Sequence, residues 1–280
     1  MSSPAQSLSE SLQQLINRGG VDVPMLPEVA NKALLLAQNP DSDAGEMADL
    51  IQSDQSLAGH VMRIANSAAY TPMSNLVSLQ QAIARLGMGV ISEIALAAAI
   101  GAKIFNTPGY EDYVAGVWRH ALATSLWSKE IARHCRSNVE VAFLAGLLHS
   151  IGRPAVLQAI LELAEQQQVT LSQYEIQQLE NTYCQQVSQA VVNAWQMPTL
   201  VIEAVSAYTD DSSALTGSEQ AAHINLGARF ATHMLDPEAL DEDTLFSLPV
   251  LSTLNLYQDE VEGLLAKNET VKARLEGLSS

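Results

Sequence analysis

The stretch Phe143-Leu144-Ala145-Gly146-Leu147-Leu148-His149-Ser150-Ile151-Gly152-Arg153 decides how the chain is read. A run this apolar belongs in an interior, yet it ends on an imidazole, a hydroxyl, a glycine and a cation. A buried helix that opens into a polar site has this form, and the rest of the chain reads as helices packed around it.

Composition supports that reading. Of the 280 residues 48% are hydrophobic but only 5% are aromatic, so the core is built mainly from Leu, Ile, Val and Ala, which suits close-packed helices. Strand-like alternation over useful length is absent, and the expected fold class is all-α. Asp and Glu total 31 against 14 Lys and Arg, a formal net charge of -17 whose field repels phosphate backbones. Arg63, Arg85, Arg119, Arg133, Arg136 and Arg153 are scattered with no basic run, so no nucleic-acid partner is expected. The two cysteines, Cys135 and Cys184, form no CxxC spacing, which excludes a zinc knuckle or disulfide framework and points to a reducing cytoplasm. The most apolar window, around Ile94 to Phe105, is interrupted by Glu93 and Lys103, short of the ~18 uncharged residues of a bilayer span. No membrane anchor is expected.

Helix signals recur along the chain. Ser7 and Glu10 are spaced as a capping box before a short amphipathic helix that stops at Arg18-Gly19-Gly20. Pro27 is placed to open the next helix, Asp43 and Glu46 form a second box, Asp54 and Ser78 are N-cap candidates, and Gly87 is a left-handed stop. A long, nearly all-apolar helix from about Val114 to His134 should be central. A helix from Val139 leads to His149, another runs through Val156, Ile160 and Leu163, and Leu171 to Leu179 continues the pattern. Gln220 to Met234 reads as one helix, Leu245 to Leu256 as an apolar region around Pro249, and the last helix uses Val261, Leu264, Leu265, Val271 and Leu275.

Leu147-Leu148-His149-Ser150-Ile151-Gly152 resembles the end of the helix in HD-type metal-dependent phosphohydrolases, where an adjacent His-Asp pair precedes a hydrophobic residue and Gly. Leu26-Pro27-Glu28-Val29, Asp54 with Leu57-Ala58, Arg63-Ile64-Ala65-Asn66-Ser67-Ala68, Ala82-Ile83-Ala84-Arg85-Leu86-Gly87 and Trp195-Gln196-Met197-Pro198 are similar, in order and separation, to the motifs of one branch, the HDOD (HD-related output domain) family. That resemblance implies an HD-domain-like helical bundle with an N-terminal helical subdomain, serving as an output domain in bacterial signalling. The expected organisation is an N-terminal helix over 1–20, the HDOD body over 21–211 and a C-terminal helical extension over 212–280, with the soft boundary at Asp210-Asp211-Ser212-Ser213.

The resemblance also fixes where ligands should be. His120 matches the first metal-ligating histidine and His149 the second, but Ser150 stands where Asp is needed. Further ligand positions fall at or near Cys184, at Tyr208-Thr209 and at Ala228. A hydroxyl neither balances a divalent charge nor supplies the hard anionic oxygen such ions prefer. No bound metal, no cofactor and no catalytic residue are therefore expected. Asp210 or Asp211 remains open as a substitute ligand. His120 and His149 are either core histidines hydrogen-bonded across two helices or, with Ser150 and Arg153, the walls of a vestigial ligand pocket. Arg153 holds an anion there, caps helix carbonyls or pairs with a carboxylate. His120 and His134 lie ~21 Å apart on one straight helix and cannot share an ion, and His60, His223 and His233 lack partners at metal spacing. Cys184 reads as a packed thiol.

The function expected is a non-catalytic, cytoplasmic regulatory protein whose partners are other signalling proteins. The alternatives are a metal-dependent phosphohydrolase or cyclic-dinucleotide phosphodiesterase with atypical ligands, and a module that senses a cyclic dinucleotide or other small ligand. The residues leave the oligomeric state open.

Overall fold

The periodicity of apolar residues becomes sixteen helices, with no strand among the described residues. The computed structural model describes residues 4–71, 76–101, 104–211 and 218–279, with side chains from Ser7 onward. Lys103 and the Ser212-Ser213 end of the expected boundary lie outside the described residues.

Helix α1 (Pro4–Asn17) begins a turn earlier than the sequence suggests. Ser7 lies inside it and its carbonyl accepts from Ser11 Oγ at 3.0 Å, so the Ser7–Glu10 spacing marks no helix start. The next signals fall where they were read. Pro27 sits at the N-cap of α2 (Glu28–Gln38). Asp43 and Glu46 close a reciprocal capping box at the head of α3 (Ala44–Gln52), and Asp54 accepts from the Leu57 N–H to cap α4 (Gln55–Ala65). Ser78 caps α5 (Leu79–Leu86), and Gly87, with φ of 86°, turns the chain through 118° into α6 (Met88–Ile100). These helices pack on one another, α2 and α4 both against α6.

Helix α7 (Glu111–His134) is central as expected, packing against α8 (Val139–Leu148) and most extensively against α12 (Glu219–Leu235). Helix α9 (Gly152–Gln167) lies along α10 (Gln173–Ala194), which Ser172 and Glu175 cap with a second reciprocal box. That helix continues well past Leu179 and ends at Trp195, after which Pro198 opens α11 (Thr199–Ala207). The region around Pro249 is two short helices, α13 (Glu242–Phe246) and α14 (Pro249–Thr253), followed by α15 (Gln258–Leu265) and α16 (Asn268–Ser279). Helix α16 returns to pack on α7 and α6, while α1 packs on α9 and α10.

Val139–Gln167 is apolar and long enough to cross a membrane by length and composition, a stretch the sequence reading passed over for Ile94 to Phe105. It is made of α8 and α9, and most of it is buried inside the bundle.

Candidate functional site

The apolar run of α8 is buried along its whole length and delivers His149 to its C-cap, still in α-helical conformation. The His149 Nδ1–H donates to the Gly146 carbonyl at 2.7 Å, satisfying one of the helix's terminal acceptors. The turn through Ser150 and Ile151 then feeds α9 at Gly152. There a Cβ would run into the Cys184 carbonyl and the Ser188 N–H of α10. Only glycine permits that approach, and the Gly152 N–H donates to Ser188 Oγ at 2.9 Å.

His149, Ser150 and Arg153 thereby share a pocket of about 220 Å³ with Cys184, Gln185, Tyr208 and Asp210. His120, from the middle of α7, stands behind it, its ring centroid 6.4 Å from that of His149. The positions that the resemblance assigned to Cys184 and Tyr208-Thr209 fall on the same pocket, and His120 lies beside the Ala228 carbonyl. His60, His134, His223 and His233 do not line it. His134 meets Glu260 at 3.1 Å and His233 meets the Leu240 carbonyl at 2.9 Å. His223 is fully buried, with neither ring nitrogen hydrogen-bonded among the described residues and Glu219 at 3.7 Å.

The hydrogen bonds around the two site imidazoles fix their roles. The Thr232 hydroxyl donates to the Ala228 carbonyl at 3.0 Å, so at 3.0 Å from His120 Nε2 it acts as acceptor and that nitrogen carries the proton. His120 Nδ1 faces the Thr124 hydroxyl at 3.4 Å. His120 thus bridges α7 to α12, while His149 is held by its own helix. The edge of the Tyr208 ring packs on His149, centroids 4.8 Å apart at 72°, filling space beside the imidazole. Burial holds both histidines below their usual pKa. For His149, where the neighbouring His120 adds to the effect, the value falls to about 4.

Asp210 is the carboxylate at this pocket. Its Oδ1 accepts from the Tyr208 hydroxyl at 2.5 Å, its Oδ2 is 4.0 Å from Arg153, and its backbone carbonyl accepts from Arg229. Arg153 also donates to Asn181 Oδ1 at 2.9 Å. The Cys184 thiol is buried, 3.8 Å from Ser188 Oγ, and burial pushes its pKa up despite Arg153. Among the described residues, no group of three or more His, Cys, Asp or Glu is placed to hold a metal ion.

Several residues of the site escaped the sequence reading. Asn181 and Gln185 line the pocket from α10, and Gln185 Nε2 donates to the Ser206 carbonyl at 2.9 Å and to that of Tyr208 at 2.5 Å. Asn181, Cys184, Gln185 and Ser188 occupy one face of α10, a polar stripe readable at helical spacing. Glu180, buried and hydrogen-bonded by the Tyr113 hydroxyl, sits beside that stripe.

Comparison with known proteins places this geometry. A model of the HDOD domain matches residues 23–210. The chain is similar in structure to a candidate metal-dependent phosphohydrolase from Shewanella amazonensis SB2B, at 19% sequence identity and a TM-score of 0.74 over 98% of this chain and 100% of that one. It is also similar to an HDOD domain protein with unknown function from Geobacter sulfurreducens, at 21% identity and a TM-score of 0.73 over 97% of both chains. A candidate signal transduction protein from Marinobacter aquaeolei VT8 matches at 21% identity and a TM-score of 0.66, over 99% of this chain and 66% of that one. At these identities the likeness shows the fold, which is HD-domain-like and all-α. An uncharacterized protein of Treponema pallidum (strain Nichols) is 22% identical over 144 residues, 51% of this chain but 28% of that relative.

Proposed function

This chain belongs to the HDOD family, and from that premise we propose that it is a non-catalytic, cytoplasmic bacterial signal-transduction protein that passes on a regulatory state through contacts with other signalling proteins. The observation that carries the proposal is the donor set around His149. A hydroxyl, Ser150, stands where the HD pair supplies a carboxylate, and the Tyr208 ring packs where a further ligand is expected. His120 Nε2 spends its proton on Thr232, and Asp210 is engaged by Tyr208 and Arg153. Two imidazoles and one largely exposed carboxylate, Asp210, form no group of three ligands placed on an ion among the described residues, and such a set does not fit a catalytic divalent ion. Without that ion, nothing in the pocket lowers the pKa of an attacking water or balances charge on a phosphoryl group.

His120, His149, Ser150 and Arg153 then form a vestigial pocket, kept because the hydrogen bonds around it join α7 to α12 and α9 to α10. On the same reading the body ends near residue 211 and residues 212–280 extend it, although α12 contributes to the same buried core. The test is hydrolysis by purified protein of bis(p-nitrophenyl) phosphate and of cyclic dinucleotides with Mn²⁺, Fe²⁺ or Ni²⁺. Rates should equal those of the His149→Ala variant. Turnover that disappears in that variant would overturn the proposal in favour of the enzyme.

A further inference from the structure

A second concavity lies on another face, where α4 and α6 of the N-terminal half meet α7 and the end of α16. It measures about 670 Å³, three times the pocket beside His149, and falls within the ~300–1,000 Å³ range of sites that enclose small organic ligands. Its origin is legible in the sequence. Ala97, Ala98 and Ala99 put three methyl groups in succession on α6 where larger side chains would close the gap, and Trp118 of α7 forms an aromatic wall.

The charge on this groove runs against that of the molecule. Acids outnumber bases 31 to 14 in the chain, yet Arg63 and Arg119 line the groove and no described lining residue carries a carboxylate. Neither groove arginine enters an ion pair among the described residues, as is also true of Arg18, Arg85, Arg136, Arg229 and Lys272, but of these seven cations only Arg63 and Arg119 line the groove. Two guanidinium groups beside an apolar floor suit a ligand with an acid group at one end and an apolar body at the other. A polyanion is disfavoured by the net charge of -17, which a small ligand largely escapes because screening acts within about 8 Å at physiological salt. Trp118 and Gly101 also border a narrow crevice whose other wall includes Ser150, so the groove adjoins the vestigial pocket through shared walls.

We propose that this groove binds a small amphipathic organic anion, its acid group held by Arg63 and Arg119 and its apolar body laid along Ala97–Ala99 and Trp118. The inference does not depend on whether the His149 pocket is catalytic. The probes are anilinonaphthalene sulfonate, followed by its fluorescence, and laurate as competitor below its micelle concentration. The full chain should bind the dye saturably. Laurate should displace it, and dodecylammonium of equal chain length should not. The exposed pair Arg63→Glu/Arg119→Glu should weaken binding by about tenfold or more, as expected when charge-assisted contacts are lost. Arg63→Lys/Arg119→Lys should retain most of it, and Ala98→Phe should block it by filling the floor with both cations intact. Unchanged binding in the Glu pair and in Ala98→Phe, with melting temperatures near that of the parent, would overturn the proposal. Equal displacement by laurate and dodecylammonium would do the same.

Discussion

His149 is buried under the Tyr208 ring, with its Nδ1–H committed to the Gly146 carbonyl. Its pKa falls to about 4 because burial penalises the cation and His120 opposes a second charge. In the unfolded chain the same imidazole titrates near its ordinary 6.5. Between those values the unfolded state binds the extra proton, so stability contributed by neutral His149 is complete above 6.5 and is lost as pH falls toward 4. The loss should reach about 3 kcal/mol by pH 4. Urea unfolding across that window should show the slope, and His149→Gln should flatten it. The His149 ring signal in NMR should titrate with a midpoint near 4, whereas a midpoint above 6 would mean that the imidazole is solvated.

At the scale of elements, α16 is fastened to α7 by one carboxylate. Glu130 of α7 accepts from Lys267 and Arg274 at 2.9 Å each, and from Arg133. Burial raises the pKa of this group, but the hydrogen bonds and charges of Lys267 and Arg133 outweigh it and lower the value to about 2. A depressed carboxylate stabilises above its ordinary 4.5, and that stability is lost as pH falls toward 2. Glu130→Gln should cost about 1–2 kcal/mol at pH 7, with Lys267 and Arg274 partly exposed and screened, and the difference should shrink at pH 3. A second element-scale constraint is the α9–α10 approach. Gly152→Ala should cost about 1–3 kcal/mol in chemical denaturation, since the methyl group meets backbone atoms that cannot swing away. Local chemistry made many elements legible in advance: Asp43, Asp54 and Ser78 cap the helices they were read to cap. Ser7 misled because a serine–glutamate spacing also occurs inside a helix. The site was legible where residues are neighbours in sequence, as in His149-Ser150-Arg153, or fixed by register from a motif, as for Cys184 and Tyr208. The bonds from His120 to Thr232, Arg153 to Asn181 and Tyr113 to Glu180 were not, because they depend on how distant helices pack.

Across the whole molecule, residues far apart in sequence hold one scaffold together. The Trp195 indole N–H donates to the Pro24 carbonyl at 2.8 Å, tying the break after α10 to the lead-in of α2. Lys129 of α7 reaches both oxygens of buried Glu93 on α6 at 2.6 Å, joining the N-terminal half to the bundle. None of these links involves His149, so the bundle they hold does not rest on an ion there, in keeping with the function proposed above. The direct test is the metal content of protein purified without chelator and then dialysed against Mn²⁺, Fe²⁺ or Ni²⁺, measured by mass spectrometry beside His149→Ala. Both should hold well under one ion per chain, to the same extent. One tightly retained ion per chain, lost in His149→Ala, would contradict a scaffold that has outlived its metal.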